Sequence, residues 1–380
     1  MPDNPFNADA GNKARVYAFL KYFNDRGFVV DFFSDTRWGE WTQPDKEKAL
    51  NSGLIRDLYL VDRRPEKRNF IKYFFVKGWQ MVSNLLKGMD TRAMPNRSTD
   101  YLCNSIYKIV KNKDYNYVII NYVTWSEIIS KKKYFPNAKF IVDTHDFLTS
   151  QYQNKGGGKY IGKLFQEEIK RLNTFDQVWT LSTDEQYIFS QFCKNEVVFV
   201  PCMSDTQFIE HTTDFEYDLI YIASDNPHNR VSAKWFMDEV YPLLPSDIRI
   251  CMIGKITKHI EDKENIDKIL FAPTLDAYYN KSKISICPML QGTGVKVKVV
   301  EALSFGLPVV CNERGIDGLP NKIDNGCLVT DNPEEFASNI CELINDKEKY
   351  IKYKEQSIKM FLSVFDKKLV YRKLDKIFGL

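Results

Sequence analysis

Nine short runs of β-forming residues punctuate the chain: "GFVVDFFS", "YNYVIINYV", "AKFIVDTHD", "FDQVWTLS", "NEVVFVPC", "YDLIYIAS", "IRICMIG", "SKISICPM" and "LPVVCN". Most are apolar almost from end to end. A strand with one wet face would alternate apolar and polar residues, so an unbroken run implies that both faces are covered, as in parallel sheets. Longer segments of helical spacing separate many of these runs. In "KARVYAFLKYFNDRG", Val16, Phe19, Leu20 and Phe23 fall on one face. Strands alternating with helices give βαβ units, and so an α/β chain of doubly wound sheets.

At 380 residues the chain has room for two or three domains. The alternation pauses at the polar stretch "SDTQFIEHTTDFEYD" (Ser204–Asp218), and strands resume after it. This predicts one α/β domain over 1–205 and a second over 214–360. The last fifty or so residues are lysine-rich and helical. Gly156–Gly158 is the one low-complexity segment. The first domain lacks the usual opening: the turn-like "NADAGNKA" arrives by residue 11, with only "MPDNPF" before it. Either the opening strand is very short or the chain starts late.

Hydrophobic residues make up 44% and charged residues 27%, a globular mix that excludes wholesale disorder. The net charge of +3 is too balanced to argue for nucleic-acid binding. Cysteines 103, 193, 202, 251, 287, 311, 327 and 341 form no C-x-x-C pair, and they read as buried, reduced thiols. No run approaches the roughly 18 apolar residues of a membrane span, and the amino terminus lacks the features of a signal peptide. A cytoplasmic protein is expected, with membrane contact only at its surface.

The stretch with the most chemistry is "LQGTGVKVKVVEALSFGLPVV" (Leu290–Val310). By period alone its alternating valines and lysines suggest a strand. Between two buried parallel strands a crossover is needed, however, and residues 291–305 supply it as a helix ending at the C-cap glycine Gly306. Lys296 and Lys298 then fall in the first turn, where the helix dipole disfavours cations. A bound anion relieves that conflict. Gly292 and Gly294 allow close backbone approach, amides point at the anion, and the lysines neutralise it. Glu301 lies about 9 Å further along the helix, where it could accept hydrogen bonds from two sugar hydroxyls. Phosphates at the tip and a ribose alongside describe a nucleoside diphosphate. The plainer reading has solvated lysines and a Lys298–Glu301 ion pair. Neither the phosphate-loop nor the dinucleotide-binding fingerprint is matched.

The segment "GTGVKVKVVEALSFGLPVV" closely resembles the donor-site segment of GT-B glycosyltransferases of the group-1, or family-4, kind. Other segments resemble the same family in order: "VDTHD" (Val142–Asp146), "FDQVWTLSTDE", "SDNPHNRVSAKWFMDEVYPLL" and "FAPTLDAYYNKSKISICPML". The likeness is good over roughly 140–345 and only in outline before that. It implies two Rossmann-like domains facing a cleft, with residues 361–380 as a helix returning to the first domain. The donor nucleotide would sit on the second domain and the acceptor on the first. The implied reaction is transfer of a sugar from a UDP- or GDP-linked donor to a hydroxyl of a glycan or polyprenyl-linked acceptor. It would proceed with retention and without a tightly bound metal or other cofactor, in surface polysaccharide or glycoconjugate synthesis.

The resemblance also assigns roles. Lys296 and Lys298 would stabilise the leaving diphosphate in place of a metal, and Glu301 would hold the ribose. His145, at a strand's carboxyl end, would meet the transferred sugar or the acceptor, although alone it reads as a satisfied interior histidine. Asn229 and Arg230 would face the diphosphate, unless Asn229 is a plain N-cap. Thr274 and Leu275 would meet the base, or simply pack a loop. Gly11 and Asn12 are candidates for a first glycine turn. Where many members carry a second glutamate eight positions before the one matched by Glu301, this chain has Thr293. His211, His228 and His259 have no metal-ligand spacing. Two alternatives remain beside the transferase reading: a GT-B sugar-nucleotide epimerase, and a catalytically idle GT-B scaffold that binds a nucleotide or partner.

Segment 63–97 is a separate signal. Nine basic residues (Arg63, Arg64, Lys67, Arg68, Lys72, Lys77, Lys87, Arg92 and Arg97) stand against Glu66 and Asp90, a local charge of +7. Phe70, Ile71, Phe74, Phe75, Trp79, Val82, Leu85 and Leu86 form a helical apolar stripe within it. One reading is peripheral contact with a membrane surface or a lipid-pyrophosphate acceptor. The other is an ordinary core-packed helix with a solvated basic face.

Overall fold

A computed structural model describes residues 1–7, 10–91, 94–152, 160–208, 215–292 and 294–380. Thr293, Arg92, His211 and Gly156–Gly158 therefore lie outside the described residues. The chain divides into two compact units, Met1–Phe199 and Val200–Leu380.

The strands of the first unit are β1 (Asp31–Asp35), β2 (Asp57–Val61), β3 (Tyr117–Asn121), β4 (Lys139–Asp143), β5 (Gln177–Thr180) and β6 (Glu196–Phe199). Its helices are α1 (Gly11–Asp25), α2 (Gln43–Asn51), α3 (Phe70–Leu86), α4 (Asp100–Val110), α5 (Leu148–Tyr152), α6 (Ile161–Leu172) and α7 (Thr183–Phe192). The strands form a parallel pair, β1–β2, and a parallel four-stranded sheet in the order β3-β4-β5-β6. Residues 1–7 form no strand; they lie along β1, where the Met1 ammonium donates to Phe33 O at 3.0 Å and Ser34 Oγ donates to Pro2 O at 2.7 Å.

The second unit contains β7 (Tyr217–Ile222), β8 (Ile250–Ile253), β9 (Ile266–Ile269), β10 (Ser282–Cys287), β11 (Val309–Cys311) and β12 (Cys327–Val329). Its α-helices are α8 (Pro227–Trp235), α9 (Asp276–Asn280), α10 (Val297–Ser304), α11 (Pro333–Asn345), α12 (Lys347–Val364) and α13 (Lys367–Phe378). All six strands are parallel, in the order β12-β11-β10-β7-β8-β9. Side chains alternate between the faces, and each face has its own core. Tyr217, Ile220, Cys251 and Cys287 pack with α10 and α12 residues such as Val300 and Phe361. Leu219, Tyr221, Ile250, Met252 and Ile284 pack with Phe236 and Phe336 on the other side. Two covered faces are the reason the strands read as continuous apolar runs.

Three strands escape the apolar-run signal: β2, β9 and β12. β9 and β12 are the edges of the six-stranded sheet, and β2 has one partner strand. Half-covered strands tolerate residues such as Asp267 and Lys268, both exposed in β9. The cysteines are all free thiols, but only Cys103, Cys251, Cys287 and Cys311 are fully buried, fewer than the sequence suggested. No described helix is long and apolar enough to cross a membrane.

Candidate functional site

The crossover expected over 291–305 is a helix, but a shorter one. Positive φ at Gly292 (105°) and Gly294 (75°) keeps the chain out of helical geometry, and α10 begins only at Val297. Lys296 occupies the N-cap and Lys298 the first turn. Gly306 has φ 71° just after the Phe305 C-cap, and a Cβ there would meet Ile358 at 3.0 Å, so the helix ends where a glycine fits.

The loop between β10 and this helix is held from two sides. Asn312, buried after β11, accepts from Met289 N at 2.9 Å through Oδ1. Its Nδ2 donates to Thr330 O at 3.2 Å. Ser232 Oγ of α8 accepts from Leu290 N at 3.3 Å. Sequence reasoning missed both residues; for Asn312, a polar side chain directly after the buried strand β11 was the available signal.

The two lysines differ. Lys296 donates to Gly294 O at 2.7 Å and lies 3.9 Å from Asp317, which Arg314 approaches at 3.5 Å. Lys298 has no acidic partner among the described residues. It donates to Asn229 Oδ1 at 3.2 Å and sits 5.5 Å from the centre of the Tyr221 ring. Burial pushes both ammonium groups below the usual lysine range, with Asp317 pulling Lys296 back up.

Glu301 does not pair with Lys298. Its Oε2 accepts from the buried Tyr279 hydroxyl at 3.2 Å. Burial raises its carboxyl to about 6 despite that hydrogen bond, and the charge of Asp276 adds to the rise. Tyr279 is held in turn by stacking on Phe305, ring centres 4.6 Å apart. Nothing in the sequence patterning singled Tyr279 out.

The structure brings Gly292, Gly294, Lys296, Lys298 and Asn229 to one end of the six-stranded sheet. Asn229 is not the N-cap of α8. Asn226 is, accepting from Asn229 N at 2.9 Å. Asn229 Nδ2 donates to Ser224 O at 2.9 Å, which turns its Oδ1 toward Lys298. Arg230 is exposed and ion-paired with Asp225 at 2.5 Å, and His259 also reaches Asp225 at 3.0 Å. Thr274 is exposed. Leu275 packs against the cluster that contains Tyr279, and its carbonyl accepts from Tyr279 N at 3.0 Å.

In the first unit a second group assembles. Gly11 is the first residue of α1, and Asn12 Nδ2 donates to Asp3 Oδ2 at 3.2 Å and to the Tyr122 hydroxyl at 2.9 Å. The Tyr122 ring stacks on His145 at 4.5 Å. Both residues have positive φ (66° and 61°), a strained setting for side-chain-bearing residues that clusters at functional sites. His145 Nε2 lies 3.1 Å from Asp143 Oδ2, yet neither ring nitrogen makes a hydrogen bond among the described residues. Burial pushes its imidazole down to about 4 against the pull of Asp143, so the ring is neutral near pH 7. Burial alone would raise the Asp143 carboxyl, but the Arg15 guanidinium, at 2.8–3.1 Å, outweighs it and holds the group below the carboxylate range.

A family model described as Glycosyl transferases group 1 matches residues 216–346. An uncharacterized glycosyltransferase of Haemophilus influenzae is 30% identical over 109 residues, which is 28% of this chain and 30% of the relative's length. Anabaena HepE, solved in complex with UDP-glucose, superimposes with a TM-score of 0.66 at 11% identity, over 100% of this chain and 96% of that one. Sucrose-phosphate synthase from Thermosynechococcus elongatus gives 0.66 at 12% identity, over 100% and 97%. At such identities the structural likeness is one of fold. Residues 216–346 thus resemble the group 1 glycosyl transferases, within a chain whose fold is GT-B.

Proposed function

We propose that the chain is a glycosyltransferase that moves a sugar from a UDP- or GDP-linked donor to a hydroxyl of a glycan or lipid-linked acceptor. The observation that carries this reading is Lys298: a half-buried cation with no acidic partner among the described residues, at a helix tip that follows two positive-φ glycines. A diphosphate supplies the missing negative charge. Lys296 and the Gly292–Gly294 turn, Thr293 included, share it, with Asn229 and Arg230 beside them. Glu301 accepts from ribose hydroxyls, and Thr274 and Leu275 meet the base.

In the transfer itself the bond between the anomeric carbon and the diphosphate oxygen breaks. The acceptor oxygen forms the new bond, and its proton passes to the departing diphosphate oxygen, which keeps the electron pair of the broken bond. The lysines and the α10 amides take up the charge that develops on the leaving diphosphate. His145, its ring neutral near pH 7, hydrogen-bonds the transferred sugar or acceptor, with Gly11 and Asn12 close to it through Tyr122. The family resemblance favours retention at the anomeric carbon, in surface polysaccharide or glycoconjugate synthesis.

A thermal-shift screen with UDP, GDP and their sugars tests the reading, because a ligand stabilises the fold by mass action. At least one nucleotide should stabilise, and a donor–acceptor panel should give product by NMR. Stabilisation without turnover across the panel would favour an idle binding scaffold, and conversion of the donor sugar alone an epimerase. No stabilisation by any nucleotide would refute the donor site.

A further inference from the structure

Helix α3 is built inside out. At 3.6 residues per turn, Tyr73, Val76, Gln80, Ser83 and Asn84 fall on one face, and this is the face turned toward the first unit. Its contacts there are polar. Gln80 Oε1 accepts from Asp100 N at 2.7 Å, and Asn84 Oδ1 accepts from Asn96 Nδ2 at 3.1 Å. The opposite arc holds Ile71, Phe75, Trp79, Val82 and Leu85, with Ile71 84%, Phe75 73% and Leu85 80% exposed. A water-facing surface helix has the reverse arrangement, so the core-packed reading of segment 63–97 is overturned. Contiguous apolar surface of this kind marks an interaction site.

The charges say what covers it. Projected on the same helical wheel, Lys72 and Lys77 stand at the two edges of the apolar arc. Lys67, Lys72 and Lys77 are exposed and have no acidic partner among the described residues. A second copy of the chain would set one segment of charge +7 against another, which an isologous interface disfavours. With 17 residues, α3 is about 25 Å long, shorter than the roughly 30 Å hydrocarbon core it would have to cross. Aromatic side chains bordered by lysines suit the boundary between headgroups and acyl chains.

We propose that α3 docks the protein on an anionic lipid surface, lying flat with Phe75, Trp79 and Leu85 among the acyl chains and Lys72 and Lys77 at the phosphate level. The inference rests on this face alone, so a chain that binds no nucleotide could still dock.

The test is flotation of the full chain with vesicles of equal parts phosphatidylglycerol and phosphatidylcholine, compared with phosphatidylcholine alone. Binding to the anionic vesicles that weakens with salt supports the proposal. The double variant Lys72→Ala/Lys77→Ala should bind about thirtyfold more weakly. The double variant Phe75→Glu/Leu85→Glu should lose binding while keeping its circular dichroism and melting temperature, because both side chains are already in solvent. Equal binding to neutral vesicles would overturn the proposal, as would undiminished binding by the glutamate variant. So would a dimer, seen by sedimentation velocity, that the glutamate variant dissolves.

Discussion

Two helix beginnings, α1 and α10, carry similar sequence signals and are used differently. Each begins beside a glycine, Gly11 as the first residue of α1 and Gly294 just before α10, and each has polar or cationic side chains in its first turns. In α1 these are consumed inside the fold: Asn12 bonds Asp3 and Tyr122, and Arg15 clamps the buried Asp143. In α10 the first-turn cation, Lys298, finds only an amide oxygen and a ring face among the described residues. A glycine at the start of a helix is therefore weak evidence of an anion site. The better evidence is charge that the protein itself leaves unbalanced.

This contrast can be broken by mutation, and the largest effect belongs to the satisfied side. Arg15→Ala strands the Asp143 carboxylate in the interior and should destabilise the protein by about 3–5 kcal/mol, measured by urea unfolding. A much smaller loss would mean that Asp143 is not held by Arg15.

On the unsatisfied side, Glu301→Ala should weaken donor binding by about tenfold or more and remove most of the nucleotide-induced thermal shift, since an ionised acceptor is lost. The effect has a pH signature. The Glu301 carboxyl is raised to about 6, so the carboxylate is present above that value and lost as pH falls through it. Donor affinity should therefore drop on acidification through about 6, and Glu301→Gln should flatten the profile. Isothermal titration across that range would decide it.

Tyr279→Phe removes the hydrogen bond that positions Glu301 and keeps the ring stacked on Phe305. It should reduce donor affinity about fivefold, roughly the worth of one hydrogen bond. The smallest effect is assigned to α1. Because the Asn12 amide is already occupied, Asn12→Ala should change donor affinity by less than about threefold. A loss as large as that of Glu301→Ala would erase the distinction between the two helix tips.

The sequence revealed the buried strands and the catalytic-looking crossover for the same reason: both leave short-range patterns. β10 and β11 are apolar on both faces, and Gly292, Gly294 and Gly306 punctuate α10. The edge strands β9 and β12 were illegible because half-covered positions accept charge. Tyr279 and Asn312 were illegible because their roles come from contacts 22 and 23 residues away in the chain. The Lys298–Glu301 pair of the plainer reading did not form, since Asn229 and Tyr279 offered each side chain a tertiary partner. For α3, periodicity correctly gave an apolar stripe but could not say which face the fold would turn inward. That depended on Gln80 and Asn84 meeting the Asp100 amide and Asn96.

The most direct test is the melting temperature of Lys298→Met, with and without UDP. Burial disfavours the Lys298 charge in the ligand-free fold, so replacing it with an apolar side chain of similar length should leave the unliganded protein as stable as before or more so. The UDP-induced shift should vanish. A destabilised variant that still responds fully to UDP would contradict the account, because Lys298 would then serve the fold and not the diphosphate.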